Sequence, residues 1–152
     1  FYSALFLLMW KTKNEPNVVC DSTLFSNLVF TELLRLAGTM TAMEVALTYA
    51  IADEHLKRLP DVDVHIVLVR PIPQLFENVR KRGREIEKNQ EDYLNYHYAN
   101  YYDVLRRIFK NYRVPEQKIL WLAVNDMNNP AEFKEIVAKI EAKYESQKNL
   151  TK

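Results

Sequence analysis

Val64-His65-Ile66-Val67-Leu68-Val69 is the stretch that decides the fold class. It is rich in β-branched residues and apolar at nearly every position. A strand with one wet face alternates apolar and polar residues. A near-continuous apolar run is how a strand covered on both faces of a parallel sheet reads. Pro71 and Pro73 end it, because proline has no N–H for a ladder. Downstream, Gln74 to Lys81 has helical pattern, Gly83 interrupts a charged stretch, and Gln90 to Asn111 is a long helix rich in tyrosine. Ile119-Leu120-Trp121-Leu122-Ala123-Val124 is a second buried strand of the same kind. Asn129-Pro130-Ala131-Glu132 then supplies an N-cap, a proline at N1 and an acid at N3, opening a last helix to about Gln147.

Upstream, Phe1 to Lys11 reads as the end of a buried apolar helix. Val18-Val19-Cys20 reads as a short buried strand ending in the polar Asp21-Ser22-Thr23. Leu24 to Ala37 is helical in pattern, with Gly38 at the C′ position. Thr41-Ala42-Met43-Glu44 matches a capping box and starts a helix to about Arg58, before Pro60. Three strands alternating with helices describe an α/β fold with a parallel sheet. With no glycine-bearing first strand, the pattern is that of a doubly wound sheet lacking its start. The chain, which opens on Phe1, is accordingly expected to be a fragment, a processed product or the ordered part of something longer.

The 152 residues suit a single domain spanning 1–152 with a real core. The formal net charge of +1 gives no global field to draw the chain to nucleic acid or an anionic membrane, so neither partner is expected. The apolar opening FYSALFLLMW is too short to span a bilayer and lacks the basic lead-in of a signal peptide. A lone cysteine, Cys20, makes no intramolecular disulfide and points to a reducing, cytoplasmic setting; it is expected to sit in the core. Three histidines, His55, His65 and His97, have no ligand spacing. With only Gly38 and Gly83 as glycines, these residues contain no GxxxxGK[ST] phosphate loop.

The informative charged stretch is Arg80-Lys81-Arg82-Gly83-Arg84-Glu85-Ile86-Glu87, one helix beyond the Val64–Val69 strand and leading into Tyr93-Leu94. Ligands in such sheets bind at the carboxyl ends of strands. Guanidinium groups there can hold phosphate oxygens bidentately, which is the positioning that phosphoryl transfer requires. NVRKRGREIEKNQEDYL resembles the lid of deoxynucleoside kinases, the family that includes the herpesvirus-type thymidine kinases. FYSALFLLMW is similar to the helix that lines that family's nucleoside pocket. VVCDSTLFSNLVF is similar to its strand followed by E-R-S or D-R-H. Leu36-Ala37-Gly38-Thr39-Met40-Thr41 is similar to the herpesvirus-type branch, and Trp121 to Asp126 to the last strand and adenine-contacting loop. Thymidylate kinases share the sheet and a similar lid.

The resemblance implies a P-loop-kinase-like fold with its lid at 80–88, ATP and Mg2+, a deoxynucleoside substrate with thymidine as the candidate, and a homodimer. By position, Arg82 and Arg84 match lid arginines on the phosphates, with Arg80 in support. Glu87 matches the acid on the deoxyribose 3′-hydroxyl, and Asp21 the motif acid near magnesium and phosphates. Asp126, Met127 and Asn128 match the loop beside adenine. Tyr2 stands where the family reads the base edge with glutamine; a phenol does not reproduce an amide's paired donor and acceptor. Ser22 stands at the motif arginine and Asn78 at a further lid arginine. The family's early-strand general base has no counterpart here. These departures favour an alternative: a kinase-derived binding or structural subunit without catalysis.

Overall fold

The computed structural model describes residues 6–7, 9–11, 14–15, 18–84, 91–126 and 128–150. Its elements are α1 (Leu24–Leu36), α2 (Ala42–Leu56), β1 (His65–Val69), α3 (Ile72–Arg82), α4 (Glu91–Asn111), a 3-10 turn (Glu116–Lys118), β2 (Ile119–Ala123) and α5 (Pro130–Leu150). The described residues among 6–11 are helical. The chain divides into two compact units, Phe1–Asp61 with His97–Arg113 and Val62–Tyr96 with Val114–Lys152.

The first unit is helical. On α1 the buried residues Leu24, Phe25, Leu28, Val29 and Leu33 form one stripe. On α4, Val104, Leu105, Ile108 and Phe109 do the same. The stripes meet: the Phe25 ring stands edge-on to Phe109 at 5.5 Å and to Tyr112 at 5.4 Å, and Phe30 lies 5.9 Å from Tyr101. The tyrosine-rich helix is therefore a packing helix along this face. Helix α2 is held by two phenol–carboxylate bonds. Tyr49 donates to Glu32 of α1 at 3.0 Å, and Tyr112 donates to Asp53 of α2 at 2.5 Å.

Both helix ends that the sequence marks are built as marked. Gly38 has φ 71. Its N–H donates to the Arg35 carbonyl and the Thr39 N–H to the Leu34 carbonyl, each at 3.0 Å, which is the Schellman closure of α1. At the start of α2 the Thr41 N–H donates to Glu44 Oε2 at 2.8 Å, and the Glu44 N–H donates to Thr41 Oγ1 at 3.3 Å. The Thr41 backbone and hydroxyl bonds hold the Glu44 carboxyl below its ordinary pKa.

The second unit carries the sheet. Strands β1 and β2 pair in parallel, with His65 opposite Ile119 and Val69 opposite Ala123. The Val124 N–H adds a last rung to the Val69 carbonyl at 2.8 Å. Helix α5 packs on β2 through Ile136 and Ile140 against Leu120, Leu122 and Val124. It is tied at both ends: Gln147 Nε2 donates to the Gln117 carbonyl at 2.8 Å, and Glu132 reaches the far end of β2. These ties run α5 antiparallel to its strand.

Three expectations fail. Val18–Cys20 forms no strand, and Val19 is 89% exposed; β-branched residues form a strand only where a sheet edge offers unpaired N–H and C=O groups, and this triplet pairs with none among the described residues. The described sheet thus has two strands rather than three. Cys20, off any strand, is half-buried rather than in the core. Strand β1 is not covered on both faces: Val67 is buried, while Ile66 and Leu68 are 38% and 46% exposed. Hydrophobicity on both faces of a strand does not by itself supply the layer that would cover the second.

Leu28 is fully buried. Leu28→Ala is expected to destabilise the chain by about 2–5 kcal/mol, through lost transfer energy and a cavity, in urea unfolding followed by circular dichroism. Gly38→Ala meets nothing within 4 Å of its new Cβ, so its cost is backbone strain alone. That cost is about 1–2 kcal/mol, and Gly38→Asn recovers part of it.

Burial pushes the Tyr101 phenol above its ordinary value of 10.0, with a Ser26 hydrogen bond acting against the shift. The folded state therefore favours the neutral phenol. Its contribution to stability is present below pH 10 and is lost as pH rises through the raised value. Unfolding free energy measured above pH 10 should fall with pH, and less steeply in Tyr101→Phe.

Candidate functional site

In the second unit two segments leave the carboxyl ends of the paired strands. After β1 the chain passes Arg70 and Pro71 into α3, where Pro73 fits the first turn because no N–H is required there. Helix α3 ends in Arg80, Lys81 and Arg82, favourable against its C-terminal dipole, and is closed by Gly83 in the left-handed region at φ 64. Arg84 follows directly. The side chains of Arg80, Arg82 and Arg84 are exposed. Arg80 pairs with Glu91, the first residue of α4, at 3.2 Å, with both side chains more than half exposed. Lys81 pairs with Glu77 at 2.7 Å. The Glu77 hydrogen bond and charge raise the Lys81 ammonium above its ordinary value, and the Asp126 carboxylate adds to the shift.

Asp126 lies on the second segment, the loop after β2. This loop is held by side chains reaching its backbone. The Asn125 and Asp126 N–H groups donate to the two oxygens of Glu132 at 2.6 and 2.9 Å. Asp126 Oδ1 accepts from the Asn128 N–H at 2.9 Å, and the Asp126 carbonyl from the Asn129 N–H at 3.1 Å. Asn129 caps α5 as its sequence indicates, accepting from the Ala131 N–H at 3.0 Å. Of the basic end of α3, Lys81 thus feels the charge of Asp126 on this loop.

Asp21 belongs to the first unit. It is exposed, two residues ahead of Thr23, the N-cap of α1. Its neighbour Ser22 has φ 67, a conformation that side-chain-bearing residues adopt at a cost. Tyr2, Glu87 and Met127 lie outside the described residues. Among the described residues no group of three His, Cys, Asp or Glu could hold a metal ion, and no helix is long and apolar enough to cross a membrane.

Sequence reasoning missed two residues here. Glu132 reads as the N3 acid of a helix cap, yet its carboxylate turns to the preceding loop. Lys81 reads as one basic residue among several, and nothing in its spacing indicates Asp126. An acid six or seven residues beyond the first residues of a strand-end loop, with a helix start between, is the sequence signal for the Glu132 clamp.

A family model described as deoxynucleoside kinase matches residues 3–144. Comparison with curated proteins and with solved structures gives no match.

The Asn125 and Asp126 amides, though on an exposed loop, are expected to exchange slowly with deuterium. Glu132→Ala should abolish their protection and leave the β1–β2 ladder amides unchanged. Equal protection in wild type and variant would remove the clamp.

Proposed function

The chain belongs to the deoxynucleoside kinase family, and on that premise we propose that it takes part in transfer of the ATP γ-phosphoryl group to the 5′-hydroxyl of a deoxynucleoside, with thymidine as the candidate. The observation that carries this reading is that the exposed cations from Arg80 to Arg84 and the Asn125–Asp126 segment held by Glu132 follow, in one unit, from the carboxyl ends of two paired parallel strands. That is where open α/β sheets hold ligands, and the parallel β1–β2 pair is read as part of a doubly wound, P-loop-kinase-like sheet.

In this proposal Arg82 and Arg84 grip the phosphates and neutralise charge on the transferring group, with Arg80 released from Glu91 to assist. Asp126, Met127 and Asn128 flank adenine, Glu87 takes the deoxyribose 3′-hydroxyl and Tyr2 lines the base pocket. Bond making joins the 5′-oxygen to γ-phosphorus as the bridge to the β-phosphate breaks, and the developing charge falls on oxygens that guanidinium groups can reach. Mg2+ is ordinarily held by one or two carboxylates together with substrate phosphates rather than by a protein cage. By family position Asp21 is the carboxylate for this role, and a three-ligand cluster is not required. The phosphate loop and the proton acceptor have no counterpart within residues 1–152.

A homodimer through helices is part of the proposal. Met43, Leu47 and Ile51 of α2, at helical spacing and 78%, 60% and 40% exposed, support it. A second reading, a kinase-derived binding or structural subunit without catalysis, is favoured by Ser22 at the motif arginine in left-handed backbone.

Arg82→Ala is expected to lower kcat on the order of 10²-fold or more, by loss of charge stabilisation in the transition state. Arg82→Lys should recover little, because an ammonium lacks the planar fork. An assay of deoxynucleoside phosphorylation with ATP checks this, and an unchanged rate removes Arg82 from the mechanism. ATP binding without turnover in the wild type selects the second reading.

A further inference from the structure

Among the described residues Arg70 is the one arginine that is half-buried; the others are exposed. Taking a guanidinium partly out of water costs free energy, so it persists where something offsets that cost. Arg70 is the first residue beyond β1, at the carboxyl end of the sheet, where open α/β folds hold ligands. Its backbone is set from both sides. The Val69 carbonyl before it accepts from the Val124 N–H at 2.8 Å, and Pro71 after it disfavours the helical region for Arg70. Val69 lies opposite Ala123, so one further residue in register brings Arg70 level with Val124, just ahead of the Asn125–Asp126 segment that Glu132 holds. Alternation along the extended chain continues Ile66 and Leu68 into Arg70 on one face. Their exposed apolar surface suits the aliphatic stem, with the guanidinium left at the end of the sheet.

We infer that Arg70 is a further binding residue of this site, a fixed cation at the end of the sheet that holds a phosphate of the donor nucleotide. This rests on the kinase reading, and it adds a residue outside the basic end of α3. The two kinds of arginine are placed differently. Arg80, Arg82 and Arg84 are exposed, and Arg82 closes a helix of 11 residues, about 15 Å from its start by helical rise. Arg70 is anchored within one residue of the β1–β2 ladder and is already partly out of water. Its attraction to an anion is less screened there, and a guanidinium stays charged in such surroundings. A cation that keeps its hold from ground state to transition state contributes to affinity rather than to the chemical step.

Titration calorimetry with ATP, inorganic tripolyphosphate and adenosine, on wild type, Arg70→Ala, Arg70→Gln and Arg70→Lys, tests this without reliance on turnover. Arg70→Ala is expected to weaken ATP and tripolyphosphate alike, by about tenfold to a hundredfold for the loss of one charged hydrogen-bonding group. Adenosine, which lacks phosphates, should bind as it does to wild type. Arg70→Lys should recover part of the loss, since it keeps the charge without the planar fork. In turnover the loss should appear as a higher KM for ATP more than as a lower kcat, the opposite of Arg82→Ala. Arg70→Gln, which removes the charge and keeps part of the stem, carries the same expectation if the alanine variant does not fold. Equal weakening of all three ligands in a folded variant would mean that Arg70 only supports the fold and would overturn the inference. Unchanged binding of ATP and tripolyphosphate overturns it as well, and both results leave the kinase reading intact. Wild type that binds neither ATP nor tripolyphosphate overturns the kinase reading, and this inference with it.

Discussion

The rung from the Val124 N–H to the Val69 carbonyl, at 2.8 Å, is the contact on which the layout of the second unit depends. Two parallel strands in register end at the same level, and this is their last shared bond. Beyond it neither chain can continue the ladder. Pro71 has no N–H to give, and the Asn125 N–H is already taken by Glu132. Both segments are thus turned out of the sheet side by side. Helix α3 then carries its basic end on for ten residues or so, about 15 Å by helical rise. Lys81 nonetheless remains within electrostatic reach of Asp126. A register slip between β1 and β2 would separate the two segments, so the sheet acts on the site through alignment.

Much of the fold is legible in the sequence because its punctuation is local. Thr41 with Glu44, Gly38, and Asn129 with Pro130 each act within a few residues, and each is found in its expected place, while Gly83, read only as interrupting a charged stretch, closes α3. Strands are less local. Val18–Cys20 and the Ile119–Val124 run differ in length, but the deciding difference is a partner: β2 pairs with β1, and the triplet pairs with nothing among the described residues. The same reason underlies the error at Ile66 and Leu68. Their apolar character states what they would tolerate against them, and burial depends on which layer arrives.

The site is legible in part. The Arg80–Arg84 cluster and the Asp126 loop are recognisable because charge and glycine placement mark them. The effect of Asp126 on Lys81 is not, since it comes from strand pairing over a long stretch of chain. Glu132 was visible only as a cap. A carboxylate at N3 can reach back to its own N-cap or onward to a neighbouring loop, and the choice is made by how close α5 brings it to the end of β2. Ile136 and Ile140 set that distance by packing on Leu122 and Val124. Apolar packing on one side of α5 thus fixes a polar clamp on its first turn.

The two segments differ in how firmly they are held, and the difference suits the roles proposed for them. The 125–129 loop is fixed by side-chain hydrogen bonds to consecutive amides, with the carboxylate of Glu132 half-buried beneath it. Charge-assisted bonds of that kind are among the stronger ones available. A surface proposed to flank a base gains from such rigidity, because a loop free to rotate its amides would not keep one set of groups turned toward it. The arginines stand in water, and the Arg80–Glu91 pair has side chains 72% and 62% exposed. An exposed pair contributes only about 0–1 kcal/mol, so little opposes its exchange for a phosphate, whose oxygens match the guanidinium fork and carry more charge. A fixed loop and weakly, exchangeably paired arginines in one unit are what the proposed roles, holding a nucleotide and still releasing it, require.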